Sequence, residues 1–431
     1  MRRGALCVTT ILLATALVAC NNEKLPSKID QPAKVEDSTT KVPLLFAALG
    51  GVPQEMQDDL NNHFPNYDIS YSTLGLNGLE GHEVDDTFPD LVLDVEHIAT
   101  PSDIWKQVRL DLSDYIQMHQ MNLSLFSPGL VERINAFDNN EGHIYELPFN
   151  QYLSALFYNK KVFDEMHISY PHDGMTWKDV AELNQQFAGS RYVGFTPYTS
   201  QISIFNMIDE YGLHFLDATT DQSTVLSPKW VELATLIRDL IAPTANQETE
   251  AVNPTSAETM FAYGGNIAMA LGDGVHLLQE GVKGSQDLDL VSFPTVEEGS
   301  KIGPFLKTST LYVSSTSKHA EDAFEIIAYM LSEEKQMEYA KQGIGPVIQT
   351  PEIIEQFGTS VNETAGKNTQ ALFENTSTAY TEISAYENVA LQAAVQQLSD
   401  LANPNVTVND FLKQLDTTIN SAVEGSKAQK S

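Results

Sequence analysis

Apolar and polar positions alternate along the chain in a pattern that predicts strands followed by helices. An apolar run at 43–48 and a second run at 91–93, which is flanked by charged residues, are typical of buried strands. Between these runs Met56, Leu60 and Phe64 recur at helical spacing. Strand, helix and strand joined by short turns favour a parallel or mixed sheet. We therefore expect an α/β fold with mixed sheets flanked by helices.

The remainder of the chain continues this alternation. Three capping patterns, in which a threonine is followed three residues later by an acidic residue, predict helix starts. These patterns begin at Thr176, Thr255 and Thr407. Further strands are predicted at 67–72, 267–271, 288–293 and 311–313, and further helices at 228–242 and 323–331.

The N-terminus carries the pattern of a secretory leader. Arg2 and Arg3 precede an apolar stretch at 5–18, which is shorter than the ~20 residues that span a membrane. Cys20 directly follows Leu-Val-Ala and so resembles the bacterial lipobox, in which two acyl chains on the thiol give a stable membrane anchor. A plain secretory signal with a chance cysteine remains the alternative. We expect a signal peptide at 1–19 and a polar, lipid-anchored tether at 20–41, because the tether is too polar to fold alone.

Charge and cysteine content exclude several classes of protein. The chain has 25 Lys and Arg against 58 Asp and Glu, a net charge of −33, which argues against nucleic acid and anionic lipid as partners. This charge does not identify a ligand. Cys7 lies inside the predicted leader and Cys20 would carry lipid, so no cysteine remains for a disulfide or a thiolate metal site.

Motifs for catalysis, cofactors and metals are missing from the sequence. The Gly272-Asp273-Gly274 segment lacks the Gly-Lys-Ser/Thr of a phosphate loop, and the ten histidines form no His-Glu-x-x-His pair. No Gly-x-Ser-x-Gly segment occurs. We expect no cofactor, no metal and no catalytic residue, although a glycosidase carboxylate pair could be hidden among so many acids.

Polar and aromatic residues beyond strand ends are the better candidates for a binding site. In open α/β sheets, ligands lie outside the carboxyl ends of the strands. This rule selects 46–51 after the first strand, 94–97 after the third, and the turn at Asp273. Each segment could also be an ordinary loop.

Several segments together resemble a known family. The segments 142–148 and 156–160, followed by 171–177, are similar to motifs of the family 1 extracellular solute-binding proteins of ABC importers, the maltose-binding-protein-like group. Further similar segments follow in the family's order at 89–92, 265–269, 317–324 and 343–347.

The resemblance implies a two-lobed fold of the class II type with three hinge crossings, near Pro148, Pro294 and Pro346. The N-terminal lobe would comprise 42–148 with 294–345, and the C-terminal lobe 149–293 with 346–424. A monomer anchored at the extracellular or periplasmic face of the cell membrane would capture a small polar solute, for which the resemblance implies a sugar or oligosaccharide. It would deliver this solute to an ABC permease without any enzymatic step. The alternatives are a lipid-anchored sensor for a membrane kinase and a secreted glycosidase.

Loop placement and the resemblance together give the expected ligand-binding residues. These are Phe46, Asp94, Glu96, Phe149, Asn150, Tyr152, Tyr198, Asp273 and Thr308. Sugar-binding members commonly carry a tryptophan after the strand that corresponds to 267–271, whereas this chain has Asp273-Gly274-Val275-His276. Trp105, Trp177 and Trp230 are expected to pack helices against the core. An aromatic platform for the C–H face of a sugar would therefore come from Phe46, Phe149, Tyr152, Tyr198 or Tyr312.

Overall fold

The computed structural model describes most of the chain beyond the predicted tether. The described residues are 40–74, 88–95, 108–127, 129–136, 142–196, 203–241, 261, 265–275, 285–304, 307–378, 381, 383–395, 397, 400–401 and 403–430. The predicted signal peptide, the lipidation site at Cys20 and nearly all of the tether lie outside these residues.

Strands and helices alternate as the sequence pattern predicts. The strands are β1 Val42–Leu49, β2 Tyr67–Leu74, β3 Leu91–Val95, β4 Leu147–Tyr152, β5 Ser154–Asn159, β6 Val193–Thr196, β7 Ile267–Asp273, β8 Leu288–Ser292, β9 Ile302–Gly303, β10 Lys307–Val313 and β11 Thr376–Ser377. The helices are Gln54–His63, Ser113–Met118, Leu130–Ala136, Lys160–Met166, Trp177–Gln185, Ser203–Glu210, Pro228–Ile241, Ala320–Met330, Glu333–Lys341, Pro351–Glu355, Glu387–Val395 and Val408–Lys430. Short 3₁₀ helices lie at Leu123–Leu125, Ser285–Asp287, Asn362–Thr364 and Thr369–Phe373.

Two mixed sheets organise the chain. The first sheet has the order β2-β1-β3-β10-β4, with β1 parallel to both β2 and β3, and β10 antiparallel to both β3 and β4. The second sheet has the order β6-β7-β5-β8, with β5 antiparallel to its two neighbours and β6 parallel to β7. A third pair, β9 with β11, is parallel. The predicted mixed α/β architecture is confirmed.

The chain passes from the first sheet to the second at Leu153. β4 continues through Pro148 to Tyr152 in the first sheet, and β5 begins at Ser154 in the second. The passage therefore lies a few residues beyond the crossing expected at Pro148. The assignment of chain segments to two lobes stays a prediction.

Each sheet is covered by helices that bury apolar side chains. Phe324 and Ile327 of the helix Ala320–Met330 pack with the first sheet, and neither is exposed to solvent. Trp177 and Trp230 lie in the core around the second sheet, and both are buried, which confirms that they serve helix packing. Trp105 lies outside the described residues.

The capping patterns fold as expected where they are described. The Thr176 hydroxyl accepts the N–H of Asp179, whose carboxylate accepts the N–H of Thr176 in return. The Thr407 hydroxyl likewise accepts the N–H of Asp410. The pattern at Thr255 falls outside the described residues. Within the described part of the chain, no helix combines the length and the apolar character needed to cross a membrane.

Candidate ligand-binding site

The end of the β4–β10 ribbon presents polar side chains on one face. Lys307 pairs with Tyr152 and Ser309 with Asn150, so the alternation of side chains along strands places these four on the same side. The Tyr152 hydroxyl lies 3.2 Å from the Ser309 hydroxyl, and Asn150 Oδ1 accepts the N–H of Ser309 at 3.0 Å. Tyr152 is 38% exposed. Its ring can therefore offer a flat apolar surface to a ligand.

A second polar pair lies just beyond the passage between the sheets. Ser154, the first residue of β5, pairs with Asp273, the last residue of β7. The Ser154 hydroxyl donates to Asp273 Oδ1 at 2.5 Å. The carboxylate predicted to bind ligand is thus held in the second sheet, next to the point where the chain leaves the first.

The helix Ser203–Glu210 connects these two polar groups. Asn206 Oδ1 accepts from Lys307 Nζ at 2.9 Å, while its Nδ2 donates to Ser154 Oγ at 2.8 Å and to Asp273 Oδ1 at 3.3 Å. Asp209 Oδ2 lies 4.0 Å from Lys307 Nζ. We call the connected set the crossover cluster. It comprises Tyr152, Ser154, Asn206, Asp209, Asp273, Lys307 and Ser309.

Burial opposes charge in the ammonium–carboxylate pair of the crossover cluster. Burial lowers the pKa of Lys307, although Asp209 and Asp273 favour its charged form. Burial likewise raises the pKa of Asp209 to about 6, although Lys307 opposes the shift. The side chains of Lys307 and Asp209 are 14% and 23% exposed, respectively, so a ligand can reach them. Polar ligand groups that replace the lost water would stabilise the charged forms of both side chains.

The crossover cluster unites part of the predicted site. It contains Tyr152 and Asp273, and Asn150 touches it through Ser309. Sequence reasoning missed Ser154, Asn206, Asp209 and Lys307. Their one signal in the sequence was the position of Lys307 directly before the selected Thr308.

The other aromatic candidates lie in the apolar interior. The expectation that Phe46 follows the first strand is wrong, because β1 continues to Leu49 and buries Phe46 completely. Phe149 packs edge-on against Tyr339 with ring centroids 5.2 Å apart, and Tyr312 lies fully buried beneath Arg109. Strand alternation directs these rings inward, so none of the three presents an open face in this structure. Tyr198 lies outside the described residues.

The remaining polar candidates are buried or undescribed. Thr308 is 1% exposed and points away from the face that carries its neighbours in β10, because side chains alternate along the strand. Asp94 is 1% exposed and sits opposite Thr310, whose hydroxyl donates to Glu146 at 3.3 Å. Glu146 in turn forms a buried ion pair with Arg109. Glu96 lies outside the described residues, among which no group of His, Cys, Asp and Glu side chains could hold a metal ion.

Comparison with known proteins identifies the family. The family model described as "Bacterial extracellular solute-binding protein" matches residues 84–354, which is more than half of the chain. No curated protein matches the chain at a significant level of sequence similarity.

Solved structures share the fold over nearly their whole length. An ABC substrate-binding protein of Listeria monocytogenes in complex with cycloalternan is 18% identical, with a TM-score of 0.68, and the match covers 89% of this chain and 99% of that one. A sugar transporter protein of Rhizobium etli in an open conformation is 18% identical, with a TM-score of 0.66 and coverage of 88% and 99%. A maltose-bound T. maritima protein is 15% identical, with a TM-score of 0.64 and coverage of 88% and 99%. The expected two-lobed α/β fold is confirmed, and the chain belongs to the bacterial extracellular solute-binding proteins.

Proposed function

We propose that this protein captures a small polar solute, a sugar or oligosaccharide, at the crossover cluster and delivers it to an ABC permease. The observation that carries the proposal is the hydrogen-bond connection of Lys307 in the first sheet to Asp273 in the second, through Asn206. A solute bound there would contact both sheets at once. The sugar-bound structures of similar fold support carbohydrate as the solute class.

The chemistry of the crossover cluster suits a polyhydroxylated solute. Its carboxylates accept hydrogen bonds, its ammonium and hydroxyl groups donate them, and the ring of Tyr152 can pack against C–H groups. A solute that contacts both lobes only when they approach each other shifts the population toward the closed form, in proportion to its differential affinity. Each solute hydroxyl buried on closure needs a partner, at a cost of about 1–3 kcal/mol if left unpaired. Binding and release suffice for this role, and it requires no chemical step.

The first experiment is a thermal-shift screen of the chain from Asn21 onward against maltose, mannobiose, mannitol and cyclic glucans. A solute at ~100 times its dissociation constant adds ~2.7 kcal/mol of stability, which raises Tm by a few degrees. No shift with any sugar, together with a shift for amino acids or peptides, would discard carbohydrate as the solute.

Two substitutions test the site itself. We expect Asp273→Ala and Tyr152→Ala each to weaken binding of the sugar found in the screen about 5- to 150-fold, which corresponds to ~1–3 kcal/mol. Tyr170→Ala is the matched control for the tyrosine, because Tyr170 is 41% exposed and donates to Asp164 at another surface. Unchanged affinity in both site variants would refute the site assignment.

We further propose that the mature protein is a monomer anchored to the outer face of the membrane through lipid on Cys20. The lipobox resemblance supports this, and two acyl chains would make the attachment stable. A Cys20→Ser variant should appear in the medium and lose incorporation of labelled palmitate. Retention of the variant in the membrane fraction would contradict the anchor.

A further inference from the structure

Asn206 occupies the centre of the crossover cluster, where it makes full use of its side-chain amide. The residue is 2% exposed. Its Oδ1 accepts from Lys307, and its two N–H groups donate to Ser154 and Asp273. A carboxamide offers an acceptor and two donors without any charge. Neither an aspartate nor an apolar side chain of the same size could make all three bonds.

The amide of Asn206 stands between two opposite charges. Lys307 Nζ lies 2.9 Å from the amide oxygen, and Asp273 Oδ1 lies 3.3 Å from the amide nitrogen. An ammonium on a flexible four-carbon stem is attracted to a carboxylate this near, and the attraction is strong where water is scarce. A neutral group that binds both partners keeps them from closing into an ion pair.

The separated charges leave donor capacity for a ligand. Among the described residues, the Lys307 ammonium has one hydrogen bond, to Asn206, and Asp209 lies at 4.0 Å, too far for a second. An ammonium carries three protons, so two remain for other acceptors. Were the side chain to collapse onto Asp273, both the ammonium and the carboxylate would be occupied by each other.

We infer that Asn206 is a positioning residue, which holds Lys307 and Asp273 apart so that both can contact the solute. As far as it concerns the solute, the inference rests on the proposed function. The separation of the two charges does not depend on which solute binds.

The experiment measures the reactivity of the Lys307 amine in the ligand-free protein. Amine labelling with acetic anhydride is followed across pH by mass spectrometry of the peptide that contains Lys307. We expect Asn206→Asp and Asn206→Leu to raise the midpoint of labelling by about one pH unit or more, because the ammonium gains a carboxylate neighbour in either case. Asn206→Gln, which keeps both functions of the amide, should restore most of the wild-type profile.

A matched control separates positioning from general loss of structure. Asn184 is also a buried asparagine, and its amide donates to the carbonyl of Leu240 at 2.6 Å, with no contact to Lys307 among its hydrogen bonds. Asn184→Leu should lower Tm and leave the labelling midpoint of Lys307 unchanged. If Asn206→Leu does not fold, Asn206→Ala carries the test, because it also removes the amide and introduces no new charge.

Binding of the sugar found in the screen provides the second readout. We expect Asn206→Asp to weaken that binding at least about tenfold, with Asn184→Leu near the wild-type value. An unchanged labelling midpoint in the uncharged Asn206→Leu or Asn206→Ala overturns the inference, and so does a shifted midpoint with unchanged affinity. If no sugar binds the wild-type protein, the proposed function fails, while the labelling midpoints still decide whether Asn206 separates the charges.

Discussion

The buried carboxylate of Glu210 should make the stability of this protein fall as pH rises. Glu210 ends the helix Ser203–Glu210 and is 9% exposed. Its two oxygens accept from the Trp177 indole N–H at 2.7 Å and from the N–H of Val296 at 2.8 Å. Burial raises the pKa of Glu210 to about 7, although both hydrogen bonds favour the charged form.

The sign and size of the effect follow from linkage. The folded state holds the proton of Glu210 to a higher pH than the unfolded state, whose reference pKa is 4.5. Stability therefore decreases as pH rises through the window from about 4.5 to about 7, and the loss is complete above it. A shift of about two and a half pH units at ~1.36 kcal/mol each corresponds to about 3 kcal/mol.

Denaturant unfolding followed by tryptophan fluorescence at several pH values between about 5 and 8 measures this effect. Wild-type protein should lose about 2–3 kcal/mol from Glu210 across this range, and Glu210→Gln should remove that part of the slope. The glutamine amide places an N–H group against the N–H donor of either Val296 or the Trp177 indole. The resulting loss of one hydrogen bond lowers stability by the same amount at every pH. Glu387, whose pKa burial also raises to about 7, contributes equally to both proteins.

The control is Glu182→Gln, because the Glu182 side chain is 69% exposed and pairs with Lys178 at the surface. This variant should keep the wild-type pH slope. Equal slopes for wild-type protein and Glu210→Gln would refute the reasoning, since they would mean that Glu210 stays charged when buried.

Three further predictions concern stability. Gly345→Ala would place a Cβ 2.0 Å from the carbonyl oxygen of Gln151 and should lower the free energy of unfolding in urea by about 1–3 kcal/mol. Gly425→Ala, in open space on a helix, should raise it by about 0.5–1 kcal/mol, and equal effects of the two substitutions would contradict the close approach at Gly345. Thr176→Ala removes a capping box and should cost about 1 kcal/mol, while Thr417→Ala on an exposed helical face should stay within about 0.5 kcal/mol. Because the net charge is −33, Tm should rise by several degrees between about 0.05 M and about 1 M NaCl, and a flat Tm would argue against self-repulsion as a destabilising force.

Local pattern was sufficient for much of the fold. The helix stripe of Met56, Leu60 and Phe64 and the capping box at Thr176 appear as expected, because both depend on residues within a few positions of each other. The strand predicted at 311–313 begins already at Lys307. Its first half, Lys307 to Thr310, is polar and carries no apolar signal; Lys307 and Ser309 face the crossover cluster, whereas Thr308 and Thr310 are buried on the opposite face.

The site required knowledge of contacts that sequence pattern does not contain. Lys307 and Asn206 are 101 residues apart along the chain, and neither belongs to a recognisable motif. Phe46 was selected as part of the segment 46–51 near the end of the first predicted strand, but it is the fifth residue of β1 and its side chain is fully buried. Because successive side chains of a strand point to opposite faces, a position near the strand end does not tell whether a side chain reaches a ligand or the core.

The position of β10 in the first sheet has a consequence for the order in which the protein can fold. β10 lies between β3 and β4, and its Val313 pairs with Leu91 of β3, more than two hundred residues earlier in the chain. Until that segment has been synthesised, β3 and β4 lack their shared neighbour and present open edges, which invite pairing with other chains. Contacts this distant also slow folding, because a long loop must close before they form. Fragments that stop before Lys307 should therefore aggregate, and the N-terminal half of this protein depends on its second half to become a finished sheet.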